Sequence, residues 1–247
     1  MNKNKNHRDL TILRIKDNTQ YDKRFDDLDD RLPKPPFRML INAPSGSGKS
    51  VVIQNLLFND NFYHNYFDNI VFISPTLYED KTAQHLIKIQ ETDNRLCLSD
   101  DVDNLDNIIN GLLKYQEENN ENGEHTILIL DDCVGIIKAT SLITNKIMSL
   151  RHYRISVIIV TQYYRAIPPK IRENCNAYLF FANNSHKEIE KISEEIGARY
   201  KNFKDYLDEA TSEPYSFLYI KSDKKQLYKK FDKLLYDWKS ENEKKEK

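Results

Sequence analysis

Glycine is scarce in this 247-residue chain, with six in all, and there is one tryptophan. The three cysteines, Cys97, Cys133 and Cys175, are odd in number and far apart, which argues against a disulfide framework or a cysteine-based zinc site. They suit a reducing, intracellular setting. No apolar run approaches the about 18–20 residues that a membrane-spanning helix needs, so no membrane partner is expected. The polar start of the chain, Met1 to Asn6, lacks the apolar stretch of a signal peptide. Net charge is also lacking: 37 Lys and Arg face 38 Asp and Glu, a formal charge of −1. That excludes a protein that coats nucleic acid by overall charge and leaves only local basic patches for such contacts. Aromatic residues are plentiful, 15 Tyr and 11 Phe, which a disordered chain would lack.

The charge that cancels overall is segregated along the chain. Residues 79–124 carry twelve acidic and four basic groups, a net of −8. Residues 138–172 carry seven basic groups and no Asp or Glu. Five nearly continuous apolar runs, at 37–42, 70–74, 126–130, 155–160 and 177–181, read as parallel strands covered on both faces. Helical spacing lies between them: Val52/Leu56 with Ile53/Leu57, then Ile143, Ile147 and Leu150. After the fifth run, Ser185 and Glu188 read as a capping box, Ile189, Ile192 and Ile196 as an apolar stripe, and Gly197 as its stop. Strand–helix alternation predicts an α/β fold with an open, mostly parallel sheet. A sixth strand is expected at 216–220, and an amphipathic final helix presenting Leu227, Phe231, Leu234, Leu235 and Trp238 on one face. The expected organisation is an extended, partly mobile arm at 1–36, a domain at 37–222, and a C-terminal helix with a frayed tail at 223–247. Residues 117–124 read as an acidic loop.

The strongest chemical signal is Ala43-Pro44-Ser45-Gly46-Ser47-Gly48-Lys49-Ser50, placed between a predicted strand and a predicted helix as a Walker A loop requires. Glycines allow positive φ, so successive amides converge on a phosphate, and the helix N-terminus adds positive potential. Pro44, Ser45, Gly46, Ser47, Gly48, Lys49, Ser50 and Val51 therefore form the expected ATP-binding segment. Lys49 reaches the β- and γ-phosphates, and Ser50 offers its hydroxyl to Mg²⁺. The departure from the motif is Ala43, where a glycine begins the pattern; Ala fits there if its φ stays negative.

The second half of such a site is Ile127-Leu128-Ile129-Leu130-Asp131-Asp132, an apolar strand ending in two carboxylates, 82 positions after Lys49. Strand C-termini face the ligand crevice in α/β sheets. Asp131 is placed to hold Mg²⁺ through water, and Asp132 to orient the attacking water. Gln162, ending the fourth strand, is placed to report the γ-phosphate. A whole strand at 70–74 lies between the loop strand and the acidic strand. This resembles the additional-strand class of P-loop NTPases, whose sheet order is 5-1-4-3-2; the competing topology sets the acidic strand directly beside the loop strand, as in kinase-like P-loop proteins.

Around the fourth strand, Arg151-His152-Tyr153-Arg154-Ile155-Ser156, Thr161-Gln162 and Pro168-Pro169-Lys170-Ile171-Arg172 join Asp131-Asp132-Cys133 in a pattern that resembles the DNA-packaging ATPases of large double-stranded DNA viruses and virophages, a branch of the FtsK–HerA superfamily. The resemblance spans residues 37–195. It implies a homo-oligomeric ring that pumps double-stranded DNA into a capsid, with a capsid or portal component as partner, in the host cytoplasm or viral factory or with the virion. It also implies a trans-acting arginine finger, matched here by Arg151, with Arg154 and Arg172 as rivals. Two other activities share these motifs: a helicase or conjugation-type DNA translocase, and a weakly catalytic ATP-binding scaffold motivated by Ala43. Tyr163, Tyr164, Arg165 and Lys170 form an aromatic-basic segment that suits either DNA contact or plain packing.

Overall fold

The apolar runs become strands of one continuous sheet. The computed structural model describes residues 22–79, 83–183 and 185–243. In chain order the first half comprises β1 (Arg38–Asn42), α1 (Lys49–Phe58), β2 (Asn69–Ile73), α2 (Gln84–Gln90), β3 (Leu96–Ser99), α3 (Leu105–Glu118) and β4 (Thr126–Asp131). Next come α4 (Leu142–Lys146), β5 (Ile155–Thr161), α5 (Pro169–Arg172), β6 (Ala177–Phe181), α6 (His186–Glu195) and α7 (Phe203–Ala210). The chain then forms β7 (Phe217–Lys221), β8 (Gln226–Lys229), β9 (Lys233–Asp237) and α8 (Trp238–Glu243).

The strand order is β3-β2-β4-β5-β1-β6-β7-β8-β9. The five strands expected from sequence are β1, β2, β4, β5 and β6, and their order is the expected 5-1-4-3-2. One parallel strand, β3, extends the sheet beyond β2, and three antiparallel strands extend it beyond β6. Alternation divides the apolar side chains between two cores. Leu40, Leu128, Leu130, Val157 and Ile159 face the layer of α3, α4, α6 and α7. Met39, Ile41, Ile127, Ile129 and Val160 face the layer of α1 and α2. Every residue of β4 and β5 is buried, as central strands with both faces covered must be.

The C-terminal helix expected at 223–247 is replaced by the β8–β9 hairpin, so the sheet continues past residue 222. The apolar residues that suggested one helical face are divided by the pleat: Leu227 and Leu235 pack on one core, Phe231 on the other, while Leu234 and Trp238 stay exposed. Without the hairpin, β7 would leave a row of unpaired peptide groups at the sheet edge. The turns are hard to read in sequence because lysines, not glycines, take the left-handed backbone at Lys225 (φ 52°) and Lys230 (φ 55°).

Residues 1–21 of the expected arm lie outside the described residues. Residues 22–36 are not an extended arm; they are fastened to the domain. Phe25, Leu28 and Leu32 are buried. The Tyr63 hydroxyl donates to the Pro33 carbonyl (2.8 Å) and the Tyr219 hydroxyl to the Arg31 carbonyl (2.7 Å). The buried Lys221 ammonium donates to the carbonyls of Leu32 (3.0 Å) and Asp30. The expected acidic loop at 117–124 begins as the last residues of α3 and continues as a 3₁₀ turn. Helix α4 is shorter than the Ile143, Ile147, Leu150 spacing suggested, yet all three side chains are buried. Gly197 follows α6 because of close packing: a Cβ there would lie 2.5 Å from the Phe203 ring.

Candidate nucleotide site

Strand β1 delivers the chain to the loop at 43–48, and α1 starts at Lys49. The Ala43 amide still pairs with the Thr161 carbonyl of β5 (2.9 Å), and its methyl is buried. Ala43 is outside the left-handed region, so its Cβ costs nothing there. Gly46 (φ 74°) and Gly48 (φ 92°) do take left-handed backbone. Ser47 closes the loop, its hydroxyl donating to the Pro44 carbonyl (2.7 Å). Gly48 caps α1 with no side-chain hydrogen bond, which leaves the first-turn amides available to an anion.

Four of the residues expected to act together converge. The Lys49 ammonium donates to Asp131 (3.1 Å) and to the Asp132 carboxylate. The Gln162 amide donates to the same Asp132 oxygen (3.2 Å). The topology explains the meeting: β5 lies between β1 and β4, so the lysine at the start of α1 reaches across the end of β5. Lys49 is 11% exposed. Burial works against its charge, but the Asp131 and Asp132 carboxylates outweigh burial and hold its pKa above the ordinary lysine value. In a continued strand, Asp131 and Asp132 would point to opposite faces. Asp132 instead takes left-handed backbone (φ 53°), its amide bonded to the Val160 carbonyl (3.2 Å), and the turn brings both carboxylates to one lysine. Such backbone is costly for most residues and least so for Asp and Asn. The adjacent Cys133 is inert packing: burial pushes its thiol up to about 12.

Ser50, Ser74 and Asp131 line one water-sized cavity of about 10 Å³, whose other walls include Ile53, Phe72, Ala83 and Leu86. The Ser50 hydroxyl and the Asp131 carboxylate are hard oxygen donors of the kind magnesium takes.

Arg151 is not part of this cluster. It is exposed on the 3₁₀ turn Leu150–Tyr153, at the opposite end of β5 from Gln162. Arg172 is committed elsewhere. Its side chain, 6% exposed, forms a two-pronged pair with Glu195 (2.9 and 2.6 Å), donates to the Arg165 and Ile167 carbonyls, and stacks on the Tyr164 ring. Tyr164 is buried, with its hydroxyl on Glu195 (2.8 Å), so of the aromatic-basic segment only Tyr163, Arg165 and Lys170 are exposed. The expected capping box is absent: Ser185 occupies the cap position without a side-chain bond, and Glu188 accepts from the Arg165 amide (3.1 Å). These contacts tie the segment after Gln162 to α6. They join positions 23 and 31 residues apart, beyond the reach of a local sequence pattern.

Burial raises the Glu195 pKa, but donation from Arg172 and Tyr164 overcomes it and holds the carboxyl below its ordinary value. Arg172→Met should destabilise the fold by about 2–3 kcal/mol, somewhat less than for a fully buried pair because Glu195 keeps Lys191 and some solvent. Thermal unfolding should show a melting temperature lower by about 5–10 °C. The pair stabilises above the carboxylate's unfolded pKa and is lost as pH falls through the lowered folded value, so the difference should close in acid. Equal melting temperatures at neutral pH would show that the pair contributes nothing.

One neighbour of the loop had no signal in the sequence. A Cβ on Gly48 would meet the Tyr215 ring at 3.1 Å, although 167 positions separate the two residues.

The family model described as Poxvirus A32 protein matches residues 22–209. None of the curated proteins matches the chain. Among solved structures, B204, the DNA-packaging ATPase from Sulfolobus Turreted Icosahedral Virus, is similar with a TM-score of 0.61 at 17% identity, covering 80% of this chain and 98% of that one. The genome packaging NTPase B204 from Sulfolobus turreted icosahedral virus 2, in complex with ATP-gammaS, gives a TM-score of 0.59 at 18% identity with the same coverage. At these identities the likeness establishes the fold.

Proposed function

Because this chain belongs to the Poxvirus A32 protein family, we propose that it is an ATP-hydrolysing motor that drives double-stranded DNA into a viral capsid. The observation that carries the reading is the junction of Lys49 with Asp131, Asp132 and Gln162 at the mouth of a glycine-bearing phosphate loop. Catalysis at such a site is positioning plus charge stabilisation. The loop amides from Ser45 to Val51 hold the triphosphate, and Lys49 neutralises its terminal oxygens. Asp132 aligns a water with the γ-phosphate. Gln162, bonded to Asp132, registers whether that phosphate is present. Magnesium held by Ser50 and Asp131 would add further charge neutralisation.

Arg151 lies a full strand away from the site of its own chain, so it is suited to completing a neighbour's site. This supports a ring of identical subunits, in which each guanidinium stabilises transition-state charge next door. The exposed Lys138, Arg165 and Lys170 of the acid-free stretch supply a basic surface for duplex DNA, whose binding should weaken steeply with salt. Among the described residues no helix is long and apolar enough to cross a membrane. A capsid or portal component is the expected docking partner, in the viral factory or host cytoplasm.

Phosphate release from ATP, measured with and without blunt duplex DNA, tests the proposal. Turnover that rises with duplex and is not accompanied by unwinding of a forked substrate is the expected result. Unwinding would favour a helicase of the same superfamily. ATP binding with no turnover under any condition would leave a scaffold.

A further inference from the structure

Tyr215 combines three unusual properties. The residue is 69% exposed, its backbone is left-handed (φ 58°), and its ring packs on Gly48 of the phosphate loop. Left-handed backbone in a bulky aromatic residue is a true outlier, and such strain gathers at ligand sites. The sheet register explains how it arrives there. Asn42 at the end of β1 pairs with Phe180, and Phe181 pairs with Phe217 at the start of β7. The turn before β7 therefore lies at the same rim as the phosphate loop. Val51, one helical turn after Gly48, is also exposed, at 58%. An aromatic face and an aliphatic side chain thus border the loop where both are open to solvent.

The strand order gives this border a direction. Asp131 ends β4 and Gln162 follows β5, on one side of β1; Tyr215 precedes β7, on the other. A triphosphate whose γ end lies at Asp132 and Gln162 therefore leaves the loop toward β6 and β7. Tyr215 reaches back from the turn before β7 to Gly48, so its ring stands on that side of the loop.

Resting on the nucleotide-site reading above, we infer that Tyr215 is the nucleobase platform of this site: the base stacks on its exposed ring, with Val51 at the border. Tyr215 lies outside the family match at 22–209, just before the antiparallel strand β7.

The test compares magnesium-ATP with magnesium tripolyphosphate, which carries the phosphates and no base, by calorimetric titration of the full chain. Tyr215→Ala should weaken ATP about tenfold, within the range of single base–aromatic stacks. It should leave tripolyphosphate affinity unchanged, and Tyr215→Phe should restore ATP affinity. Unchanged ATP affinity in Tyr215→Ala would overturn the inference. Equal loss for both ligands would also overturn it, by showing that the ring shapes the loop. A wild-type chain that binds neither ligand would instead bring down the nucleotide site itself, and the platform with it.

Discussion

Lys49→Ala should reduce phosphate release from ATP by about 10²–10³-fold, the scale of losing a key electrostatic donor in a water-poor site. The reason lies in the local charge balance. Lys49 is largely buried, and its ammonium joins two carboxylates that come from a different strand. With alanine there, Asp131 and Asp132 face an incoming triphosphate without a compensating cation, so binding should fail along with turnover. Turnover within tenfold of wild type would remove Lys49 from the centre of the mechanism. The same variant gives a test of sharing between subunits. Mixed with Arg151→Ala chains, which keep Lys49, it should regain part of the activity, because one variant supplies the intact loop and the other the intact guanidinium. Absence of recovery at every mixing ratio would exclude Arg151 as the trans-acting group. Arg172 is a poor substitute, since its side chain is spent on Glu195 and two backbone carbonyls.

Asp132→Asn should separate binding from chemistry. Asparagine has nearly the same shape and tolerates the left-handed backbone that position 132 requires, so the fold and the Gln162 contact should survive. The change removes one negative charge beside the expected γ-phosphate, so ATP should bind at least as tightly. Loss of the carboxylate that aligns and polarises water should lower turnover by about 10²–10⁴-fold. Nucleotide titration paired with single-turnover phosphate release measures both. Full turnover in Asp132→Asn would remove the carboxylate from water activation, and loss of binding would assign it a structural role.

These two variants concern the part of the site that is most legible in sequence. The phosphate loop is a local pattern: Gly46 and Gly48 supply positive φ, and Lys49 and Ser50 open the helix. The acidic strand is equally local, since an apolar run that ends in two carboxylates must reach solvent or a ligand. Their association, however, depended on strand order, and only the path of β5 between β1 and β4 brings Lys49 to Asp131. The left-handed turn at Asp132 lay beyond a pattern that treats consecutive strand residues as facing opposite ways.

The failures share a cause. The C-terminal segment carries apolar residues at helical spacing, and a helix there would satisfy its own backbone. The open edge of β7 offered the same peptide groups partners along a strand, and that long-range benefit prevailed. Ser185 and Glu188 match a local capping motif, but Glu188 found the Arg165 amide across the fold. Residues 22–36 contain prolines and charges typical of a linker, yet their carbonyls accept from Tyr63, Tyr219 and Lys221, donors up to 191 positions away.

By itself, then, the amino-acid order determined the strands of the sheet's middle, the phosphate loop and the acidic pair, because each is marked by a pattern within a few neighbouring residues. The tertiary structure decided which strands meet, how Asp132 turns toward Lys49, where Arg172 is spent and that Tyr215 stands over Gly48. Those outcomes depend on free-energy differences between distant partners, and such differences exist only once the chain has closed on itself.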